Sequence, residues 1–199
     1  MGLQADVWIV AGAPGAGKST VAGSMLTLLD PTPALLDKDT LFSGFVAEVL
    51  RAHDRPHGER EGRWYDDHIK SHEYGGLTAA SREIRSAGCP VLLVAPFTQQ
   101  IRDPARWSRW VDELGGDTVH LVWVSCDPES LRQRMLGRGR SRDAGKLADF
   151  AAFVERMRPA QPPPVPHVAI DNGAGAPSVT SQLTQGLRDL VVASASADR

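Results

Sequence analysis

Lysine is nearly absent from this chain: Lys18, Lys38, Lys70 and Lys146 stand against eighteen arginines in 199 residues. It is seldom the default positive charge, and Lys18, Lys38 and Lys146 fall in segments that the pattern below makes functional. Cysteine is scarcer still. Cys89 and Cys126 each sit beside an apolar strand candidate with no ligand-spaced pair, which argues against a disulfide framework or a zinc site. No run approaches the ~20 apolar residues needed to span a bilayer. Neither sign of charge is in excess: a net charge of −2 gives no general attraction to nucleic acid or an anionic membrane, so any polyanion site must be local. The first strand candidate begins about five residues after Met1, too soon for a signal peptide. Together with reduced thiols this points to the cytoplasm.

What the chain has is an alternation of apolar runs with helical patterns, at a length and a 42% hydrophobic content suited to one well-buried core. The expected fold class is α/β, a five-stranded parallel sheet with helices on both faces, forming one domain over residues 1–199. Strands are predicted at Asp6 to Ala11, Ala34 to Asp37, Val91 to Ala95, Val119 to Val124 and Val168 to Asp171. Helices are predicted at Lys18 to Leu29, Thr40 to Ala52, Leu77 to Ala87, Pro104 to Leu114, Pro128 to Leu136 and Leu147 to Met157. Asp103-Pro104 and Asp127-Pro128 each set an N-cap acid before a first-turn proline, and Gly88 and Gly115 read as stops. Residues His53 to Asp67, inside a wider insertion at 44–75, read as an excursion over the sheet edge. Pro159 to Pro166, with five prolines in eight residues, is an extended connector. Ala193 to Arg199 is expected to fray.

The strongest motif is Gly12-Ala13-Pro14-Gly15-Ala16-Gly17-Lys18-Ser19, followed by Thr20, directly after the first strand. It fits G-x-x-x-x-G-K-[ST], whose glycines let backbone N–H groups wrap a phosphate at a helix N-terminus. Lys18 would reach the β- and γ-phosphates and the Ser19 hydroxyl would ligate Mg²⁺. The expected cofactors are therefore ATP and Mg²⁺.

The second strand runs into Asp37-Lys38-Asp39-Thr40, on the sheet rim where ligands of open α/β sheets bind. An acid there can order Mg²⁺ through water, a role open to Asp37, or accept a proton from an attacking hydroxyl. Asp39 either faces the phosphate or caps the helix from Thr40. Five arginines, Arg132, Arg134, Arg138, Arg140 and Arg142, fall within eleven residues that hold no acid. Such density is self-repelling unless an anion sits there, and residues 137–146 read as an Arg-rich lid fixed by Asp143 and Lys146. A solvated basic face or an RNA-contacting patch remains the alternative. The third strand ends without the usual acid, at Ala95-Pro96, and is followed by Phe97, Gln99, Gln100 and Arg102 as candidates for an acceptor pocket. His53, His57, His68 and His72 sit in the excursion without an H-E-x-x-H arrangement. There Trp64, Tyr65, Asp66, Asp67, His68 and Glu73 are expected to cover the acceptor.

The Gly-x-Pro-Gly-x-Gly-Lys-Ser-Thr loop, the Asp-Lys-Asp-Thr turn and the Arg-x-x-x-Arg lid followed by Arg142-Asp143 resemble the P-loop kinases that include adenylate, gluconate and shikimate kinases. Within them the chain looks most like the AAA_33-type group that contains chloramphenicol phosphotransferase and the polynucleotide 5′-kinase domain. The resemblance implies a three-layer P-loop NTPase fold and transfer of the ATP γ-phosphoryl group to a hydroxyl. It implies Asp39 as the proton acceptor and Arg134, Arg138 and Arg142 as lid arginines at the phosphoryl group with Lys18. It does not extend to the acceptor, toward which Asp37, Asp39, Tyr65, Phe97, Gln100 and Arg102 are expected from their places at the strand ends and in the excursion. The leading reading is a small-molecule kinase acting on an antibiotic, sugar, nucleoside or metabolite. A polynucleotide 5′-hydroxyl kinase is the second, disfavoured by the net charge. A switch ATPase with a protein partner is the third. No guanine-reading Asn/Thr-Lys-x-Asp and no strand ending in Asp-Glu supports a GTPase or motor. The sequence carries no signal of oligomeric state.

Overall fold

A computed structural model of the chain describes residues 5–197 except 57 and 117, with the backbone alone at 141 and 191–197. In chain order the elements are β1 (Val7–Gly12), α1 (Lys18–Leu28), β2 (Ala34–Asp37), α2 (Lys38–Ala52), α3 (Arg63–Tyr65), a π turn (Asp66–Lys70), α4 (Ser71–Ser86), β3 (Val91–Val94) and α5 (Thr98–Ile101). There follow α6 (Pro104–Leu114), β4 (Val119–Ser125), α7 (Pro128–Arg138), a 3-10 turn (Ser141–Asp143), α8 (Ala144–Ala148), α9 (Phe150–Met157), β5 (Val168–Asp171) and α10 (Val179–Ala197).

The five strands form one parallel sheet in the order β2-β3-β1-β4-β5. Strand alternation divides the core into two layers. Val7, Ile9 and Ala11 of β1 pack with Leu93, Leu121 and Trp123 under Leu77 of α4 and Trp110 and Leu114 of α6. Trp8 and Val10 pack with Val94, Val122 and Val124 under Val21 and Met25 of α1, Leu131 of α7 and Leu183 of α10. Helices thus cover both faces, and each fully buried aliphatic side chain contributes about 1.5–3 kcal/mol. The central β1 is buried along its whole length, so the loop that leaves its carboxyl end starts from a rigid base. Among the described residues, no helix is long and apolar enough to cross a membrane.

Helix starts follow the caps. Asp103 accepts from the N–H groups of Ala105 (2.9 Å) and Arg106 (3.2 Å), and Asp127 from that of Ser130 (2.8 Å). Helix α7 runs past the expected Leu136 to Arg138, because the left-handed stop is Gly139 (φ 56°) rather than Gly137. The predicted helix Leu147 to Met157 is two helices, broken at Asp149, whose side chain caps the Ala152 N–H at 3.1 Å.

The excursion differs most from expectation. From Arg63 to Ser86 the chain is continuously helical through α3, the π turn and α4. Its buried positions are Tyr65, Ile69, Glu73, Leu77, Thr78, Ser81 and Arg85, all but Thr78 spaced four residues apart. The predicted helix Leu77 to Ala87 is its second half; in the first half the buried Glu73 and the charged residues around it hide the helix from a search for apolar periodicity. Tyr65 and Ile69 pack on Val46 and Leu50 of α2. His57 lies outside the described residues. The tail expected to fray from Ala193 is helical through Ala197, with residues 198–199 outside the described range.

Candidate active site

The loop from β1 to α1 requires its glycines. A Cβ on Gly12 (φ 153°) would lie 2.5 Å from the Val124 carbonyl oxygen, and one on Gly17 (φ 95°) 2.0 Å from Asn172 Nδ2. No side chain caps α1 at Gly17, so the N–H groups of its first turn are presented as an anion site. Lys18 opens the helix, and its ammonium bends back to donate to the carbonyls of Gly12 (3.0 Å) and Ala13 (3.1 Å). Burial pulls the Lys18 pKa down to about 8 against the opposing pull of Asp39 and Asp37.

This loop forms one wall of a cleft of about 780 Å³ lined also by the acid turn, the excursion and the arginine segment. The turn resolves the choice between its two acids. Asp37 Oδ1 accepts from the N–H groups of Asp39 (2.8 Å) and Thr40 (3.2 Å), so Asp37 is the cap and α2 begins at Lys38. Asp39 is left open to the cleft, with Arg142 Nη1 2.6 Å from its Oδ2 and Lys38 Nζ and Arg60 Nη1 each 3.6 Å from its Oδ1. Burial raises the pKa of Asp39, but Lys38, Arg142, Lys18 and Arg60 outweigh it and hold the carboxyl below its ordinary value.

Behind Asp39 lies a buried polar cluster. Lys38 Nζ is 3.1 Å from Glu73 Oε1 and 3.4 Å from the Tyr65 hydroxyl, which donates to Glu73 Oε2. Burial and the Glu73 carboxylate raise the Tyr65 pKa, keeping the phenol neutral as a donor. Tyr65 lines the cleft as expected. Glu73 does not, serving instead to anchor Lys38. Trp64 and His68 stack on each other, ring centroids 4.9 Å apart, with Arg55 4.4 Å over Trp64, and neither ring lines the cleft.

In the segment expected as a lid, Arg138 is clamped by Asp143 through bonds of 2.6 and 2.8 Å. Lys146 departs from its expected pairing with arginine side chains: it donates to the Arg142 carbonyl and lies 3.3 Å from Glu61. Arg156 of α9 also pairs with Glu61, tying the excursion to this segment.

Gln99 and Gln100 line the cleft, while three other expected residues do not. Phe97 is fully buried, packed against Tyr74 and Trp110. Arg102 holds the proline-rich connector through the carbonyls of Arg158 (2.8 Å) and Pro162 (3.0 Å). Arg134 lies behind the phosphate loop and donates to the carbonyls of Asn172 (2.7 Å) and Ala16 (3.5 Å). For all three, tertiary packing used the side chain before a ligand could. Asn172 itself, bonded to Ala16 O at 2.7 Å, and Arg60 and Glu61 carried no sequence signal. Among the described residues, no three His, Cys, Asp or Glu cluster as a metal site. The donor set at the loop, the exposed Ser19 with Asp37 lining the same cleft, suits a cation held chiefly by phosphate oxygens.

Comparison with known proteins bears on the family and the fold. The AAA_33 family model, described as an AAA domain, matches residues 7–163. The structure resembles that of a sugar kinase from Janibacter sp., at 13% identity over 92% of this chain and 95% of that one, with a TM-score of 0.62. It also resembles a gluconokinase from Sinorhizobium meliloti, at 14% identity, 93% of each chain and a TM-score of 0.56. A third similar structure is the Mycobacterium tuberculosis APS kinase in complex with AMPPNP and APS, at 19% identity, 94% of this chain, 98% of that one and a TM-score of 0.56. At these identities the likeness establishes the fold, which is the P-loop kinase fold. No curated protein matches the chain in sequence.

Proposed function

The chain belongs to the AAA_33 family of AAA domains, and we propose that it is an ATP-dependent phosphotransferase that moves the γ-phosphoryl group to a hydroxyl of a small molecule. The observation that carries this reading is the placement of Lys18 and an ionised, half-exposed Asp39 in one cleft, with Arg142 in contact with the acid. Kinases for small molecules among the similar structures support it.

The loop N–H groups and Lys18 hold the triphosphate. Ser19 is the residue that would hold a Mg²⁺ ion, which would supply neutralisation of the triphosphate charge. Asp37, with Oδ1 committed to its cap, has only Oδ2 for support through water. Phosphate competes with Asp39 for Arg142, so nucleotide binding draws the guanidinium toward the γ-phosphoryl group and leaves the carboxylate to the acceptor. Asp39 accepts a hydrogen bond from the attacking hydroxyl and aligns it. As the new O–P bond forms and the bond to the β–γ bridging oxygen breaks, the hydroxyl proton passes to Asp39 and ADP leaves. An acid held on the ionised side is a weak base, which suits a loose transition state in which positioning and charge stabilisation dominate. Arg138 joins as a second lid arginine once it leaves Asp143.

Incubation of the chain with ATP, Mg²⁺ and a metabolite mixture, followed by mass spectrometry, tests this. The expected product is an acceptor heavier by one phosphate, absent with Asp39→Asn. Slow ATP hydrolysis with no phosphorylated acceptor would overturn the reading in favour of a nucleotide-dependent switch.

A further inference from the structure

The cations of the cleft differ in how they are neutralised. Lys38 has Glu73, Arg138 has Asp143 and Lys146 has Glu61, each within hydrogen-bond or ion-pair distance. Lys18 and Arg142 face the place of the phosphates. Arg63 has Asp67, Lys70 has Asp66 and Arg156 has Glu61, while Arg140 is exposed to water; Arg60 is covered and has no carboxylate of its own. Its side chain is 11% exposed, and its only carboxylate neighbour among the described residues is Asp39, 3.6 Å away and already held by Arg142. One hydrogen bond ties it down, from Nη2 to the Ser43 carbonyl at 3.2 Å. Nη1 is covered and has no hydrogen-bond partner. A guanidinium carries five N–H donors in a planar fork suited to carboxylate and phosphate, and leaving such donors unspent under cover is unfavourable unless another group completes them.

We infer that Arg60 receives an anionic group, a carboxylate or a phosphate, carried by the acceptor close to the hydroxyl that Asp39 aligns. The inference rests on the kinase reading and names its substrate class. Arg60 lines the cleft, and the short span from its Nη1 to Asp39 limits the separation of the two acceptor groups. With ordinary hydrogen bonds to each side chain, the anion and the attacked hydroxyl lie about 4–7 Å apart on one molecule. That describes a hydroxy acid or a sugar phosphate and excludes a neutral polyol. The excursion that supplies Arg60 is thus a specificity element: it places a matched charge next to the reacting hydroxyl and penalises acceptors that leave the guanidinium unpaired.

Matched acceptors test it with the full chain, ATP and Mg²⁺: glycerate and glycerol 3-phosphate against glycerol, and ribonate and ribose 5-phosphate against ribose. The carboxylate and phosphate arms distinguish the two anions. The expected result is a kcat/KM at least about tenfold higher for anionic members. Arg60→Gln should erase that preference mainly through KM, leave ATP affinity unchanged and melt at or above the wild-type temperature. Arg60→Lys should restore part of the preference. Equal use of neutral acceptors, a loss shared by both classes, or an Arg60→Gln protein that melts several degrees lower would each overturn the inference, the last by making Arg60 a structural residue. If no member is phosphorylated, binding decides: with AMPPNP and Mg²⁺ filling the donor side, glycerol 3-phosphate or glycerate should raise the melting temperature of the wild type but not of Arg60→Gln. No shift in the wild type would overturn the inference. Failure of the kinase reading itself is separate, showing as ATP hydrolysis without transfer to any acceptor in the wider metabolite mixture.

Discussion

The phosphate wall of the cleft is one continuous stretch, Gly12 to Thr20, in which the main chain binds and a single lysine supplies the charge. The opposite wall is assembled from side chains far apart in sequence, with Lys38 against Glu73, Glu61 against Lys146 and Arg156, and Arg142 against Asp39. The first wall carries its one cation, Lys18, without a carboxylate of its own, which suits a site for a polyanion. The second pairs most of its charges internally: Arg60 only shares Asp39 with Arg142, and the exposed Arg140 has no carboxylate within ion-pair distance among the described residues. On the proposed reading, a rigid, locally coded donor site and a distributed acceptor site meet across Asp39. A change of acceptor could come through the second wall without disturbing the first.

That contrast can be broken at several points. The largest effect is expected from Lys18→Ala, which removes the ammonium that faces the transferred group and should lower kcat/KM by about 10³ or more. ATP titration should show binding lost as well, and retained affinity would place the phosphates elsewhere. Asp39→Asn should lower kcat by about 10²–10³ while ATP affinity stays nearly unchanged. Single-turnover transfer checks this, and an active Asn variant would remove Asp39 from its role.

Glu73→Gln leaves Lys38 covered without its carboxylate, at a cost of ~3 kcal/mol. Thermal unfolding should show it as a melting temperature lower by roughly 6–12 °C. Ser19→Ala on the donor wall, where the hydroxyl is exposed, should change stability by less than about 0.5 kcal/mol. Equal losses at the two sites would contradict the division between a backbone-built wall and a charge-packed one.

A further effect is in pH. Burial holds Lys18 near 8 in the free protein, and a bound triphosphate favours the charged ammonium. Nucleotide binding must then take up a proton as pH passes 8. Affinity is full below that value and falls above it, by up to about tenfold per unit while the bound ammonium stays charged. Calorimetry in buffers of different ionisation enthalpy measures the uptake. A flat affinity between pH 7 and 9.5 would show that Lys18 keeps its proton in the free cleft.

The parallel sheet and the phosphate loop were legible because their signals are short-range: apolar runs at strand length, and glycines where Val124 and Asn172 leave no room for a Cβ. Asp39 was legible as one of two candidates. The choice between them turned on Asp37 accepting two backbone N–H bonds, a matter of local conformation. Phe97, Arg102 and Arg134 were misplaced for one shared reason. Each follows a strand or sits in the arginine run, as site residues do, but packing decides which of them turn inward. The helix at 63–86 was legible from Leu77 onward; its first half was hidden because charged residues surround its few buried positions, Tyr65, Ile69 and the polar Glu73.

By itself, then, the sequence determined the layer order, the phosphate loop and the acid turn, since backbone dihedrals and side-chain periodicity depend on neighbours a few residues away. Only the tertiary structure decided which charges are matched. Coulomb attraction and desolvation depend on separation and burial in space, and no spacing along the chain would have shown that Glu73 answers Lys38 or that Arg60 stands beside Asp39 with a donor still unspent.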